Sequence, residues 1–140
     1  MFSWFRNIIK EVKELKYLAY HDSLTNLLNR NWLYKNMGNI KHKYVYFIDI
    51  NDLHNINEHG HIFGDEYIIE VINSIKLNRG EILIRYAGDE FILFSNQINK
   101  LKTNKIYSVG YSEILFSVKS AINMADKDMI NNKNQFKKLI

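Results

Sequence analysis

Apolar side chains fall at Phe5, Ile8, Ile9, Val12, Leu15 and Leu18, the three-and-four spacing of one helical face. Lys10, Lys13, Glu14 and Lys16 take the other side. Residues 1–19 therefore read as an amphipathic leading helix, running to about residue 20, that packs on its own domain, pairs with a second copy or lies on a membrane surface. HDSLTNLLNR (21–30) reads as a capped turn entering a short helix over 31–37, followed by a loop over 38–43. YVYFIDI (44–50) is β-branched and aromatic and predicts a buried strand that ends in polar DIND. GHIFGDEYIIEVINSIKLN (60–78), with Ile62, Ile68, Ile69, Ile72 and Ile75, predicts a helix. ILIRY (82–86) and FILF (91–94) flank a small-residue turn and predict an antiparallel hairpin. A polar stretch over 95–104, a strand over 106–112 and a helix over 115–132 with a basic tail complete the chain. Helices alternate with strands around a central hairpin, which predicts an α/β fold of α+β sandwich type: a mixed sheet with helices packed on it, spanning residues 20–140.

Composition narrows this. A length of 140 residues suits one domain. The 46% hydrophobic and 14% aromatic content is too rich for a disordered chain and sufficient for a core. The absence of cysteine excludes disulfides and thiolate metal sites. The absence of proline leaves helix ends to Gly, Asn and Asp. No apolar run is long enough to span a bilayer, so no integral membrane segment is expected. MFSWFRNIIKEVKELK carries charge where an export signal needs an apolar stretch, which predicts a cytoplasmic protein. The net charge of +4 suits a polyanionic ligand such as a nucleotide, or an ordinary solvated surface, and gives no basic patch that would mark a nucleic acid polymer as partner.

The candidate chemistry lies in the acids. Asp49 stands where the first strand leaves the core, and Asp89 and Glu90 stand on the hairpin turn. Taken singly, Asp49 is a strand-end residue and Asp89 a turn residue. If their strands are neighbours, two carboxylates meet at one sheet edge and repel unless a cation lies between them. A hard cation held by one or two carboxylates and by substrate phosphates is the usual Mg²⁺ arrangement. The residues alone thus point to a metal–phosphate site.

The same residues resemble the GGDEF domain family, the diguanylate cyclases. HDSLTNLLNR resembles the family's D-x-L-T-x-L-x-N-R, and FIDINDLHNINEHGHIFGDEYI resembles F-x-D-I-D-x-F-K-x-x-N-D-x-x-G-H-x-x-G-D. RYAGDEF is similar to the signature hairpin with Ala87 for its first Gly, SVGYS to the later S-I-G strand, and ADKDMINNK to the final A-D-x-A-M-Y-x-A-K helix. The resemblance runs from about Tyr20 to Lys138 and implies a ferredoxin-like, palm-like fold of minimal size. It implies a nucleotidyltransferase that condenses two GTP into cyclic di-GMP with release of pyrophosphate, dependent on Mg²⁺ or Mn²⁺ and acting as a homodimer at least transiently. It further implies that Asp49, the Ile50 carbonyl and Asp89 bind metal, that Asp89 and Asp49 with Glu90 form the catalytic set, and that Gly88 admits the phosphates. Asn57 and Asp65 would read guanine, and Lys133 and Lys137, with His54, would contact phosphate. Asp22, Arg30 and His61 read as structural.

Several positions depart from the family pattern. Asn51 replaces an Asp, His54 stands where a phosphate-contacting Lys is common, and Lys137 replaces an Arg, losing the bidentate fork. The stretch between FILF and IYSVG is much shorter than the family norm. Asn78 and Glu81 occupy the positions of the family's R-x-x-D inhibitory motif, which predicts no feedback inhibition there. These departures keep two alternatives open: an inactive guanine-nucleotide-binding module, and a cyclase using ATP, or ATP with GTP. His54, His59 and His61 form a minor alternative metal cluster.

Overall fold

A computed structural model describes residues 1–140. Its elements are α1 (Phe2–Tyr20), β1 (Leu28–Asn29), α2 (Arg30–Asn36), β2 (Tyr44–Ile50), α3 (Leu53–Asn57), α4 (His61–Ser74), β3 (Ile82–Arg85), β4 (Glu90–Ser95), β5 (Tyr107–Glu113) and α5 (Val118–Leu139). The five strands form one sheet in the order β1-β3-β4-β2-β5, parallel between β1 and β3 and antiparallel elsewhere. This is the expected mixed sheet, with the β3–β4 hairpin at its centre.

Because strand side chains alternate between faces, the apolar strands feed two cores. Val45, Phe47, Ile84, Ile92 and Phe94 pack under α2 and α5, meeting Leu33, Ala121, Ile122, Ala125 and Met129. Tyr46, Ile48, Ile50, Leu83, Phe91 and Leu93 face the other way, toward Ile68, Val71 and Ile72 of α4. Each such large apolar side chain, fully buried, contributes about 1.5–3 kcal/mol. α1 buries no residue. Of its three expected placements, packing on its own domain is the one the structure does not adopt: Phe5, Ile9, Val12, Leu15 and Leu18 all remain exposed.

The boundaries differ from expectation in physical ways. α4 stops at Ser74, whose hydroxyl turns back to the Val71 carbonyl. Ile75 then takes extended geometry and buries its side chain, so the 60–78 pattern joined a helix to an extended segment. α5 starts at Val118, where the Ser117 hydroxyl accepts from the Ser120 amide. It runs through the supposed basic tail to Leu139, since no Gly or Pro interrupts it. β1 and α3 were not expected, being two and five residues long.

Gly110 of β5 allows α5 to lie directly on the strand. A Cβ there would overlap the Met129 amide nitrogen and the Ala125 carbonyl, both backbone atoms that cannot swing away. Gly110→Ala is therefore expected to destabilise the domain by about 1–3 kcal/mol. Denaturant melts check this, and an unchanged midpoint would contradict the contact.

Candidate active site

β2 and β4 pair in register from Tyr44↔Ser95 to Asp49↔Glu90, so these two acids stand directly opposite each other on the face that α5 covers. The Ile50 amide donates to the Asp89 carbonyl at 2.9 Å, which holds the hairpin turn against the end of β2. Asp49, Asp89 and Glu90 are thereby brought together at one end of the central strands. Asp49 is only 9% exposed. Burial, then the neighbouring Asp89 charge, raises its pKa, against the lowering effect of Lys133, whose Nζ lies 2.6 Å from Oδ2. Glu90 is raised likewise, by burial and then by Asp89, Asp49 and Asp126.

The turn carrying Asp89 is anchored from the chain's start. Asp22 accepts from the Thr25 amide at 2.9 Å and hydroxyl at 2.8 Å, and from Arg85 Nη1 at 3.1 Å. Arg85 Nη2 in turn donates to the Gly88 carbonyl at 2.9 Å. Burial raises the Asp22 pKa, but the bonds from Thr25 and Arg85 outweigh it and hold the carboxyl below its ordinary value. Arg30 stacks 3.9 Å over the Tyr86 ring at the hairpin base. Asp22 and Arg30 thus serve the architecture, as expected. Gly88 is neither crowded by the chain nor at positive φ. Any need for glycine there comes from what binds.

α5 lays Lys133 and Lys137 along a cavity of about 390 Å³ that also contains Asn51, Lys105 and Ser108. Asn57 closes α3, and Asp65 lies just beyond the first turn of α4. Gly64 lets the Asn57 side chain lie against α4, for a Cβ there would overlap the Asn57 amide oxygen. Gly60, at φ 114°, makes the sharp turn between the two helices. His54 is not brought to the cavity: its side chain is 92% exposed and faces Glu58 at 3.9 Å. Nor do His54, His59 and His61 form a metal cluster, since no group of three His, Cys, Asp or Glu side chains is placed to hold an ion. Asp49, at the end of β2, and Asp89, on the hairpin turn, are partly buried and repel each other. That is the chemistry a hard divalent cation relieves, so the residues fit one. At the inhibitory-motif positions, Glu81 is paired with Lys100 at 3.0 Å and bonded to Ser95, and Asn78 donates to Gln97.

Sequence reasoning missed the Lys133–Asp49 pair, which joins residues 84 apart. It also missed Lys105, which no spacing rule connects to the acids.

A family profile described as "Diguanylate cyclase, GGDEF domain" matches residues 19–114, ending before α5. Diguanylate cyclase DgcP of Escherichia coli K12 is 36% identical over 89 residues, 55% of this chain and 26% of that protein. Diguanylate cyclase DgcM of the same strain is 29% identical over 92 residues, 58% and 22% of the two chains. The chain thus spans about a quarter of the length of these curated relatives. A crystal structure of the coiled coil and GGDEF domain of DgcB from Caulobacter crescentus, in complex with c-di-GMP, superposes with a TM-score of 0.77 at 19% identity, covering 95% of this chain and 90% of that one. No helix is long and apolar enough to cross a membrane.

The two kinds of shift have opposite signs. The depressed Asp22 pKa contributes stability above the unfolded carboxylate value, near 4, which is lost as pH falls through the lower folded value. Asp22→Asn should therefore lower stability at pH 7 by about 1–2 kcal/mol. The gap to wild type should narrow toward pH 3 in thermal melts. Asp89→Asn should raise stability at pH 7 by up to about 1 kcal/mol, read as a higher melting midpoint, because it removes a charge that opposes ionisation of Asp49 and Glu90. A lowered midpoint would refute the repulsion.

Proposed function

The chain belongs to the GGDEF domain family of diguanylate cyclases, and on that premise we propose that it condenses two GTP molecules into cyclic di-GMP, releasing pyrophosphate. The observation that carries this reading is the β2–β4 register, which gathers Asp49, Asp89 and Glu90 at one end of the central strands beside Lys133. Asp49, Asp89 and the Ile50 carbonyl would hold Mg²⁺ or Mn²⁺, which when bound supplies charge neutralisation for the phosphates. Lys133 and Lys137 bind the β- and γ-phosphates, with Lys133 leaving Asp49 as the phosphates arrive. Gly88 leaves room for the α-phosphate where a side chain would meet it. Asn57, with an amide donor and acceptor, and Asp65, a carboxylate accepting N–H bonds, read the guanine edge. Asp89 orients the attacking 3′-hydroxyl. Catalysis then rests on positioning and electrostatics.

One protomer holds one GTP, so product requires two. α1 offers the means of pairing. Phe5, Ile8, Val12, Leu15 and Ala19 follow a heptad seam and are exposed or unpartnered in the single chain. In a parallel pair, Glu11 and Lys16 occupy the g and e positions that face each other across the seam.

A second reading, nucleotide binding without turnover, draws on the Lys133–Asp49 contact, in which an ammonium already neutralises the acid. One assay separates the two. The protein incubated with GTP and Mg²⁺ should yield cyclic di-GMP by mass detection, and Asp89→Ala should cut the rate about 100-fold or more. GTP binding without pyrophosphate release would favour the second reading, and a product from ATP would redirect the substrate. Leu15→Glu should give a monomer by light scattering that still binds GTP but forms no product, whereas full activity as a monomer would refute pairing through α1.

A further inference from the structure

Asn51 has a task that its chain position does not reveal. Its Nδ2 donates to the carbonyls of Asn104 at 3.1 Å and Lys105 at 3.3 Å, while its Oδ1 accepts from the Ser108 hydroxyl at 2.8 Å. Its backbone amide donates to the Ile106 carbonyl at 2.8 Å. The turn so held is stiffened from within, since Asn104 Oδ1 accepts from the amides of Ile106 and Tyr107 at 2.7 and 3.0 Å. The two carbonyls require a donor at this position, which the Asn51 amide supplies while its oxygen accepts from Ser108. An aspartate at 51 would set a carboxylate against two carbonyl oxygens.

The latch has a consequence for charge. It places Lys105 on the wall of the cavity that holds Lys133 and Lys137. Lys133 is engaged by Asp49, whereas Lys105 and Lys137 make no ion pair within the chain. Asp52 is the single acidic side chain lining that cavity, against three ammonium groups. His54, by contrast, points to solvent.

We propose that Lys105, held in place by the Asn51 latch, is a third phosphate-binding cation of this cavity, and that it gives the site its preference for a polyphosphate tail over a monophosphate. The proposal rests on the nucleotide reading above but concerns the phosphate end of the ligand alone. Asn51, the short connection before β5 and the outward His54 then belong together, because the connection delivers from one side the charge that His54 does not supply from the other.

Calorimetric titration of the full chain with inorganic tripolyphosphate, GTP and GMP tests it. Lys105→Ala should weaken tripolyphosphate and GTP about tenfold, equivalent to about 1.4 kcal/mol, and GMP less than twofold. The loss should shrink in high salt, as screening predicts. Lys105→Arg should restore binding to within about twofold, and the melting midpoint of Lys105→Ala should match wild type because the side chain is exposed. Asn51→Ala, which removes the latch without adding charge, should copy the Lys105→Ala loss, with no further loss in the double variant, as expected when one residue acts through the other. If wild type binds tripolyphosphate and Lys105→Ala binds it equally, or loses GMP as strongly as GTP, the proposal is overturned. If wild type ignores tripolyphosphate yet binds GTP and GMP alike, this proposal fails while guanine recognition stands. If Lys105-dependent tripolyphosphate binding is found but GTP gives no product, the cyclase reading fails and this one holds.

Discussion

Asp49 faces Glu90 across the β2–β4 ladder, and that juxtaposition constrains everything around it. Isolated acids at this end of the strands would repel and draw water into the sheet. They are held because the strands behind them, 44–48 and 91–95, are almost wholly buried. A slip of one residue would turn Val45, Phe47, Ile92 and Phe94 away from α5 and toward α4, so the register is strongly specified. The apolar strands thus impose an electrostatic strain at their ends, which burial and like charge express as raised carboxyl pKa values. Lys133 relieves part of it from α5. Asp22 and Arg85 restrain the turn itself, and they do so with charges that attract.

Local periodicity made the strands, the hairpin and α1 legible in the sequence. The run 44–50 has one reading as a strand, and its end fixes where Asp49 stands. What periodicity cannot express is contact between distant segments. β1 exists because Leu28 and Asn29 lie beside Ile84 and Arg85, which a two-residue stretch cannot announce. Ile75 fits a helical period, yet it serves the core in extended form. For the site, the acids were legible because each ends an obvious strand or turn. The motif pattern puts His54 at a phosphate-contacting position, yet its ring faces solvent, since a motif position does not settle where a side chain points. Asn51 looked like a lost acid because its partners lie more than fifty residues away.

The short connection between β4 and β5 compensates for its length with polar side chains. β5 is an edge strand, whose outward backbone groups would otherwise be free to pair with another chain. Thr103 bonds both the amide and the carbonyl of Val109, Asn132 adds a second donor to that carbonyl, and Asp128 accepts from the Tyr111 amide. The Tyr46 hydroxyl donates to the Gln97 carbonyl and accepts from the Lys100 amide, tying the connection to β2. Lys100 then closes onto Glu81, with both side chains nearly buried. Removing either partner would leave the other charge uncompensated.

That closure bears on regulation as well as on folding. Glu81 and Asn78 sit where the resemblance would put an inhibitory ligand's contacts, and each is committed to the connection, Glu81 to Lys100 and Ser95, Asn78 to Gln97. A ligand seeking Glu81 must displace a buried ammonium, so the exchange trades one charge-assisted contact for another and gains little. The same segment continues from Lys100 to the turn at Asn104, where Asn51 fastens it beside the cavity lined by Lys133 and Lys137. One stretch of chain, at residues 95–106, therefore covers the sheet edge, fills the polar groups of a would-be regulatory surface and adds charge to the site. Shortening it further would uncover all three together, which is why its length and its polar residues form a single constraint.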